Sequence, residues 1–187
     1  MGVDFTCDTK TFGCSYSGWH YFRNLIIGAT LAYLDDFLSK QKYEEDTYEF
    51  SAMNNLKKGV ASIRSTAVKI SSENKTIFGM DLGKRPVEEC LLKALAIEIN
   101  SNSWFGELLI EYGLGGIWAL CNKSDCEGFY SVGNAYDICE LLCKVRPFLL
   151  KNLEDLESDE NSDYDRSNDL LEMFQESVEK KMNVRIH

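Results

Sequence analysis

One stretch of the sequence combines carboxylates with a central glycine, as calcium-binding loops do. Residues 123–131 read K-S-D-C-E-G-F-Y-S and lie between two predicted helices. With Gly128 at the turn position, Asp125 and Glu127 occupy two places that supply oxygen ligands to a divalent cation, Ca²⁺ or Mg²⁺. Lys123 stands at the first ligand place, however, and the bidentate acid that should close the loop is missing. The spacing therefore favours a structural helix–loop–helix, with Asp125 and Glu127 as the metal-ligand candidates.

Motifs of known catalytic chemistry are missing from the sequence. It contains no phosphate-binding loop, dinucleotide-binding glycine pattern, nucleophile elbow or H-E-x-x-H pair. The two histidines are His20 and His187, so a cysteine–histidine pair would depend on His20, whose aromatic neighbours are typical of packing. The cysteines also lack the close C-x-x-C pairs of structural zinc sites. We therefore assign no catalytic residue and no resident cofactor, and favour a protein that is not an enzyme.

Polar motifs near the two ends of the main domain resemble those of a known family. The chain opens with M-G-V-D at residues 1–4, continues with S-Y-S at 15–17, and has S-D-C-E-G at 124–128. This pattern resembles a family of small uncharacterised proteins of bacteria and phages, whose members open with M-G-x-D, continue with S-Y-S and close with an S-D-C-[DE]-G loop. Lys123 stands where that family often has histidine, and Glu127 where it has aspartate. The resemblance implies no known activity.

The separation of these motifs along the chain leads to a hypothesis about a pocket. If the N-terminal strand and the acidic loop meet in space, their polar side chains would surround a shared cavity. The alternative is a set of hydrogen bonds that simply ties the strand to the loop. The candidate pocket residues are Asp4, Ser15, Tyr16, Ser17, Trp19, Arg23, Ser124, Asp125 and Glu127.

The hydrophobic pattern predicts a mainly α-helical fold with a small β element, an α+β protein. A short N-terminal strand is followed by apolar residues at helical spacing from Trp19 onwards, with Ser17 as the predicted N-cap. The predicted helices cover residues 17–39, 51–63, 86–99, 104–121 and 135–143, and apolar character continues to residue 156. Residues 71–84 predict a loop with one short strand.

Acidic residues divide the 187-residue chain into three parts. Seven of the twelve residues of the segment 154–165 are acidic, whereas the whole chain has 30 acidic and 20 basic residues and a formal charge of −10. We therefore predict a globular domain at 1–153, an acidic linker at 154–167, and a C-terminal amphipathic helix and tail at 168–187. The apolar face of that helix would dock on the domain or on a partner. No basic cluster is visible in the sequence, which argues against nucleic-acid binding.

The apolar runs and the cysteines of the sequence bear on its compartment, and the motifs above bear on its function. No apolar run is long enough to span a membrane, and seven cysteines without an export signal favour reduced thiols in the cytoplasm. The leading interpretation is a cytosolic interaction or ligand-binding module without catalysis, with a protein partner or a small-molecule ligand. One alternative is a small metal-assisted hydrolase or nucleotide-binding enzyme with a pocket around Asp4, Arg23 and Asp125. Another is a structural subunit of a larger assembly, for example a viral one.

Overall fold

The computed structural model describes residues 2–73, 76–77, 80–81, 83–121, 128–153 and 161–187. These residues form seven α-helices and a small antiparallel sheet of four strands, which confirms the predicted mainly α-helical fold with a small β element. The helices are α1 (Tyr16–Lys40), α2 (Tyr48–Ser72), α3 (Leu91–Ser101), α4 (Ser103–Glu111), α5 (Gly116–Cys121), α6 (Val132–Leu153) and α7 (Asn161–Lys180). The strands are β1 (Gly2–Cys7), β2 (Lys10–Ser15), β3 (Thr76–Ile77), β4 (Met80–Asp81), β5 (Gly128–Tyr130) and β6 (Val184–Ile186).

The four-stranded sheet joins the N-terminal and C-terminal ends of the chain. Its strand order is β2-β1-β6-β5, so β6 lies between β1 and β5 and pairs antiparallel with both. Val184 and Ile186 face the core, whereas Arg185 between them faces solvent. The sequence did not predict this strand because three residues are too short for an alternating pattern to stand out. A segment expected to be a tail is therefore a central strand.

The inner face of the sheet carries an aromatic core. Phe5 packs against Trp19 of α1 with ring centroids 4.8 Å apart, and Tyr130 meets Phe174 of α7 edge to face at 5.3 Å. All four side chains are buried, and aromatic pairs of this geometry stabilise a fold beyond the area they bury. The sheet is thereby fixed to α1 and α7 at once.

The N-cap of helix α1 lies two residues before the predicted one. Ser15, in extended backbone conformation, is the N-cap, and its Oγ accepts a hydrogen bond of 3.0 Å from the backbone N–H of Gly18. Ser17 lies in the first turn, with its Oγ 3.2 Å from that of Ser15. The prediction of Ser17 as the cap was wrong because both serines suit the position, and β2 continues to Ser15 and leaves no room for an intervening loop.

Helix α7 docks on the domain through its apolar face. Leu170, Met173 and Phe174 are buried, and α6 is its main neighbour. The β1–β2 hairpin also holds α7, since Lys10 Nζ lies 2.6 Å from Glu172 Oε2 and the hydroxyl of Thr9 donates to Glu176 at 2.6 Å. Exposed ion pairs contribute little to stability, so the apolar contacts carry the docking. Of the two uses expected for this face, the structure shows docking on the domain.

The acidic segment is only partly described. Residues 154–160 lie outside the described residues, and α7 begins at Asn161, before the predicted end of the linker at 167. The division into a domain at 1–153, a linker at 154–167 and a tail at 168–187 stays a prediction as a statement about independent units. Among the described residues, no helix is both long enough and apolar enough to cross a membrane.

Candidate functional site

Asp4 lies on the outer, solvent-facing side of the sheet. Its neighbours Val3 and Phe5 point into the core, and alternation along β1 turns Asp4 the other way. Its backbone exchanges hydrogen bonds of 2.8 and 3.3 Å with His187, whose Nε2 lies 3.0 Å from Thr6 Oγ1. A Cβ atom on Gly13, the residue opposite Asp4 on β2, would lie 2.6 Å from Asp4 Oδ1. The Asp4 carboxylate therefore lies against the backbone of β2.

The S-Y-S motif builds the start of α1. Ser15 and Ser17 are exposed and serve the helix cap, whereas Tyr16 is half-buried against the hydrophobic core. Trp19 is fully buried among the aromatic residues of the sheet. In the described residues, these side chains have structural roles in capping and packing.

Arg23 is a buried cation on the inner side of the sheet. Only 5% of its surface is exposed, and its guanidinium carbon lies 5.5 Å from the centre of the Trp19 ring, a cation–π arrangement. Its charge also acts on Cys121, the last residue of α5. Burial raises the pKa of Cys121 to about 12, and Arg23 opposes that rise. The charge of Arg23 therefore favours the thiolate form of Cys121.

Two of the residues predicted to share a pocket, Asp4 and Arg23, lie on opposite sides of the sheet. Asp4 is on the solvent side and Arg23 on the core side, so the described residues do not place these two side chains in one cavity. Ser124, Asp125 and Glu127 lie outside the described residues. Among the described residues, no group of three histidine, cysteine, aspartate or glutamate side chains could hold a metal ion. The metal-ligand assignment of Asp125 and Glu127 stays a prediction.

An apolar groove that the sequence did not predict lies between the end of α3 and helices α4 and α5. Its volume is about 260 Å³, and two of its large side chains face solvent: Ile110 is 66% exposed and Trp118 is 39% exposed. Glu107 is the only charged side chain among the described residues that line it. We call it the α4–α5 groove; its lining is Ile99, Ser103, Gly106, Glu107, Leu109, Ile110, Gly115, Ile117 and Trp118.

The groove exists because the chain turns back between α4 and α5. Gly113 has a φ of +68°, and the hydrogen bonds Gly113 N–H to Ile110 O (2.9 Å) and Leu114 N–H to Leu109 O (2.7 Å) form a Schellman motif. One continuous helix over 104–121 was predicted, which would have separated Ile110 from Trp118 along a single rod. The glycine at 113 was the available signal, since a left-handed residue commonly ends a helix.

A second groove, of about 510 Å³, lies at the surface between α6 and α7. Cys139 and Cys143, four residues apart on one face of α6, line it together with Tyr136 and Glu179. Burial raises the pKa of the Cys139 thiol to about 11, and the neighbouring Cys143 adds to this effect. Cys143 itself is exposed. The six cysteines of the described residues are all free thiols.

These differences predict the order in which the thiols react. At pH 8 we expect iodoacetamide to modify Cys143 at least about tenfold faster than Cys121, because the raised pKa of Cys121 lowers its thiolate fraction and its side chain is less exposed than that of Cys143. Time-resolved alkylation followed by fragment-ion mass spectrometry measures each site. Labelling in urea is the control, since unfolding should make the rates similar. Equal rates in the native protein would contradict the raised pKa of Cys121.

Comparison with protein-family models, with curated proteins and with solved structures gave no match. The fold itself defines the class: a mainly α-helical protein in which a small antiparallel sheet unites the two ends of the chain.

Proposed function

We propose that this protein is an interaction module without catalysis of its own, and that the α4–α5 groove binds a protein partner. The observation that carries the proposal is the presence of two exposed large apolar side chains, Ile110 and Trp118, on the walls of one apolar cavity. Tryptophan is enriched among the residues that dominate binding energy in protein interfaces. The cytoplasm is the proposed location, which the free thiols of the described cysteines support.

The size and charge of the groove favour a particular kind of partner. Its volume of about 260 Å³ is below the usual range for small-molecule sites, roughly 300–1,000 Å³, and suits one or two apolar side chains instead. Glu107 places a negative charge at the groove, so a basic residue beside the apolar anchors would complement it. An amphipathic helix with leucine and lysine at successive turns combines both features. We therefore assign a basic amphipathic helix as the occupant.

A designed helical peptide of leucine and lysine tests this assignment. A Trp104→Phe variant leaves two tryptophans, the buried Trp19 and the half-exposed Trp118. Peptide binding to this variant should shift the fluorescence of Trp118 to shorter wavelength, and the shift should saturate. We expect Ile110→Ser to weaken binding at least about tenfold, the effect typical of a central interface residue. Ile97→Ser is the matched control, since Ile97 is also exposed but does not line the groove.

The outcomes separate the groove from general electrostatic attraction. Equal affinity of the Ile110→Ser and Ile97→Ser variants for the peptide would mean that the net charge of −10 holds the peptide and the groove does not. Absence of saturable binding would also contradict the proposal. The hydrolase or nucleotide-binding alternative stays a prediction, because Asp125 lies outside the described residues. The assembly-subunit alternative also stays a prediction, since no comparison bears on it.

A further inference from the structure

Helix α2 carries a basic surface on an otherwise acidic protein. Between Glu49 and Glu73 the sequence has four basic residues and no acidic one, although the whole chain has 30 acidic residues. All four basic side chains are exposed in the structure. We call this surface the α2 basic face; its cations are Lys57, Lys58, Arg64 and Lys69.

These cations share one side of the helix, with short or apolar side chains between them. At 100° per residue the four lie within one half of the helix circumference, and the exposed Ala61, Ser65 and Val68 fill the strip between them. Arg64 pairs with Asp35 of α1 at one edge of the strip. Among the described residues, Lys57, Lys58 and Lys69 have no ion pair. Their charge is therefore available to a ligand.

We infer that the α2 basic face binds an acidic segment of a partner protein. Lys57 and Lys69 are about 18 Å apart along the helix axis, which matches an acidic peptide of about six extended or twelve helical residues. Val68, 55% exposed, offers apolar contact to such a peptide between the charged flanks. This binding would be independent of the α4–α5 groove, which is built from other helices.

Charge complementarity distinguishes this partner from other polyanions. A long nucleic acid or an anionic membrane extends beyond one helix and would meet the rest of the chain, in which acidic residues outnumber basic ones. A short acidic peptide remains over the basic strip and avoids that repulsion. The apolar contribution of Val68 also has no counterpart in a sugar–phosphate backbone.

The test compares two triple variants with the same change in net charge. One replaces Lys57, Lys58 and Lys69 by glutamate; the control replaces the exposed Lys42, Lys84 and Lys93, which lie outside the α2 basic face. The probe is a labelled peptide of about twelve residues made of glutamate with two central leucines, measured by fluorescence anisotropy at low ionic strength. We expect the α2 variant to lose at least about tenfold in affinity and the control less than about twofold.

Each result bears on the inference directly. Equal losses in the two triple variants, or no saturable binding by the unmodified protein, would overturn it. Tighter binding of single-stranded DNA or of phosphatidylserine vesicles would also overturn it, in favour of a nucleic-acid or membrane surface. A triple glutamine variant provides a milder test if the glutamate variant fails to fold. Ile110→Ser should leave the acidic peptide bound, so failure here is distinct from failure of the groove proposal.

Discussion

Removal of residues 184–187 is expected to abolish cooperative folding or to lower the free energy of unfolding by at least about 4 kcal/mol. Val184 and Ile186 are buried, and each fully buried aliphatic side chain contributes roughly 1.5–3 kcal/mol. The deletion also leaves β1 and β5 without the strand that pairs with both of them. Domains of this size are stable by only about 5–15 kcal/mol, so the loss is a large share of the total.

Urea denaturation followed by circular dichroism measures this effect. Arg185→Ala in the same strand is the matched control, because its side chain is exposed and surface substitutions usually stay within about 0.5 kcal/mol. A truncated protein that unfolds cooperatively at the midpoint of the full chain would contradict the central position of β6. Reduced stability of the Arg185→Ala variant alone would instead point to a role for the exposed face of the sheet.

The sequence predicted the helices well where apolar residues repeat over several turns. Helix α1 was expected at 17–39 and is found at Tyr16–Lys40, because its apolar residues recur from Trp19 to Leu38 without interruption. Helix α2 continues to Ser72, beyond the expected end at 63, since Ala67 and Ile70 extend the buried face. The exposed polar residues around Ala67 and Ile70 made the apolar repeat difficult to recognise in the sequence.

The short strands and the groove could not be predicted in the same way. Strands β5 and β6 have three residues each, and their pairing depends on long-range contacts that bring residue 128 beside residue 186. The groove depends on the angle between α4 and α5, which local spacing does not specify. The described residues of the predicted pocket lie in a helix cap, in the aromatic core and on the outer face of the sheet. Asp4 is apart from the buried residues because side chains alternate between the two faces of a strand.

Gly116→Ala is expected to lower the free energy of unfolding by about 2–4 kcal/mol through a steric clash between two helices. A Cβ atom at Gly116 would lie 2.3 Å from the backbone oxygen of Asp137 and 2.6 Å from Ile138 Cα. Backbone atoms of α6 cannot rotate aside as a side chain can, so α5 and α6 would have to separate. Alanine would otherwise favour the helix by roughly 0.5–1 kcal/mol, which only partly offsets the clash.

Gly133→Ala is the matched control for this substitution, since its Cβ would meet only Ser131 Oγ at an ordinary 3.7 Å and it also lies in a helix. Thermal unfolding of both variants should show a lowered Tm for Gly116→Ala and an unchanged or raised one for Gly133→Ala. Because Gly116 begins the helix that carries Trp118, the clash should also weaken the leucine–lysine peptide at the α4–α5 groove. A Gly116→Ala variant of full stability would contradict the close contact of α5 with the backbone of α6.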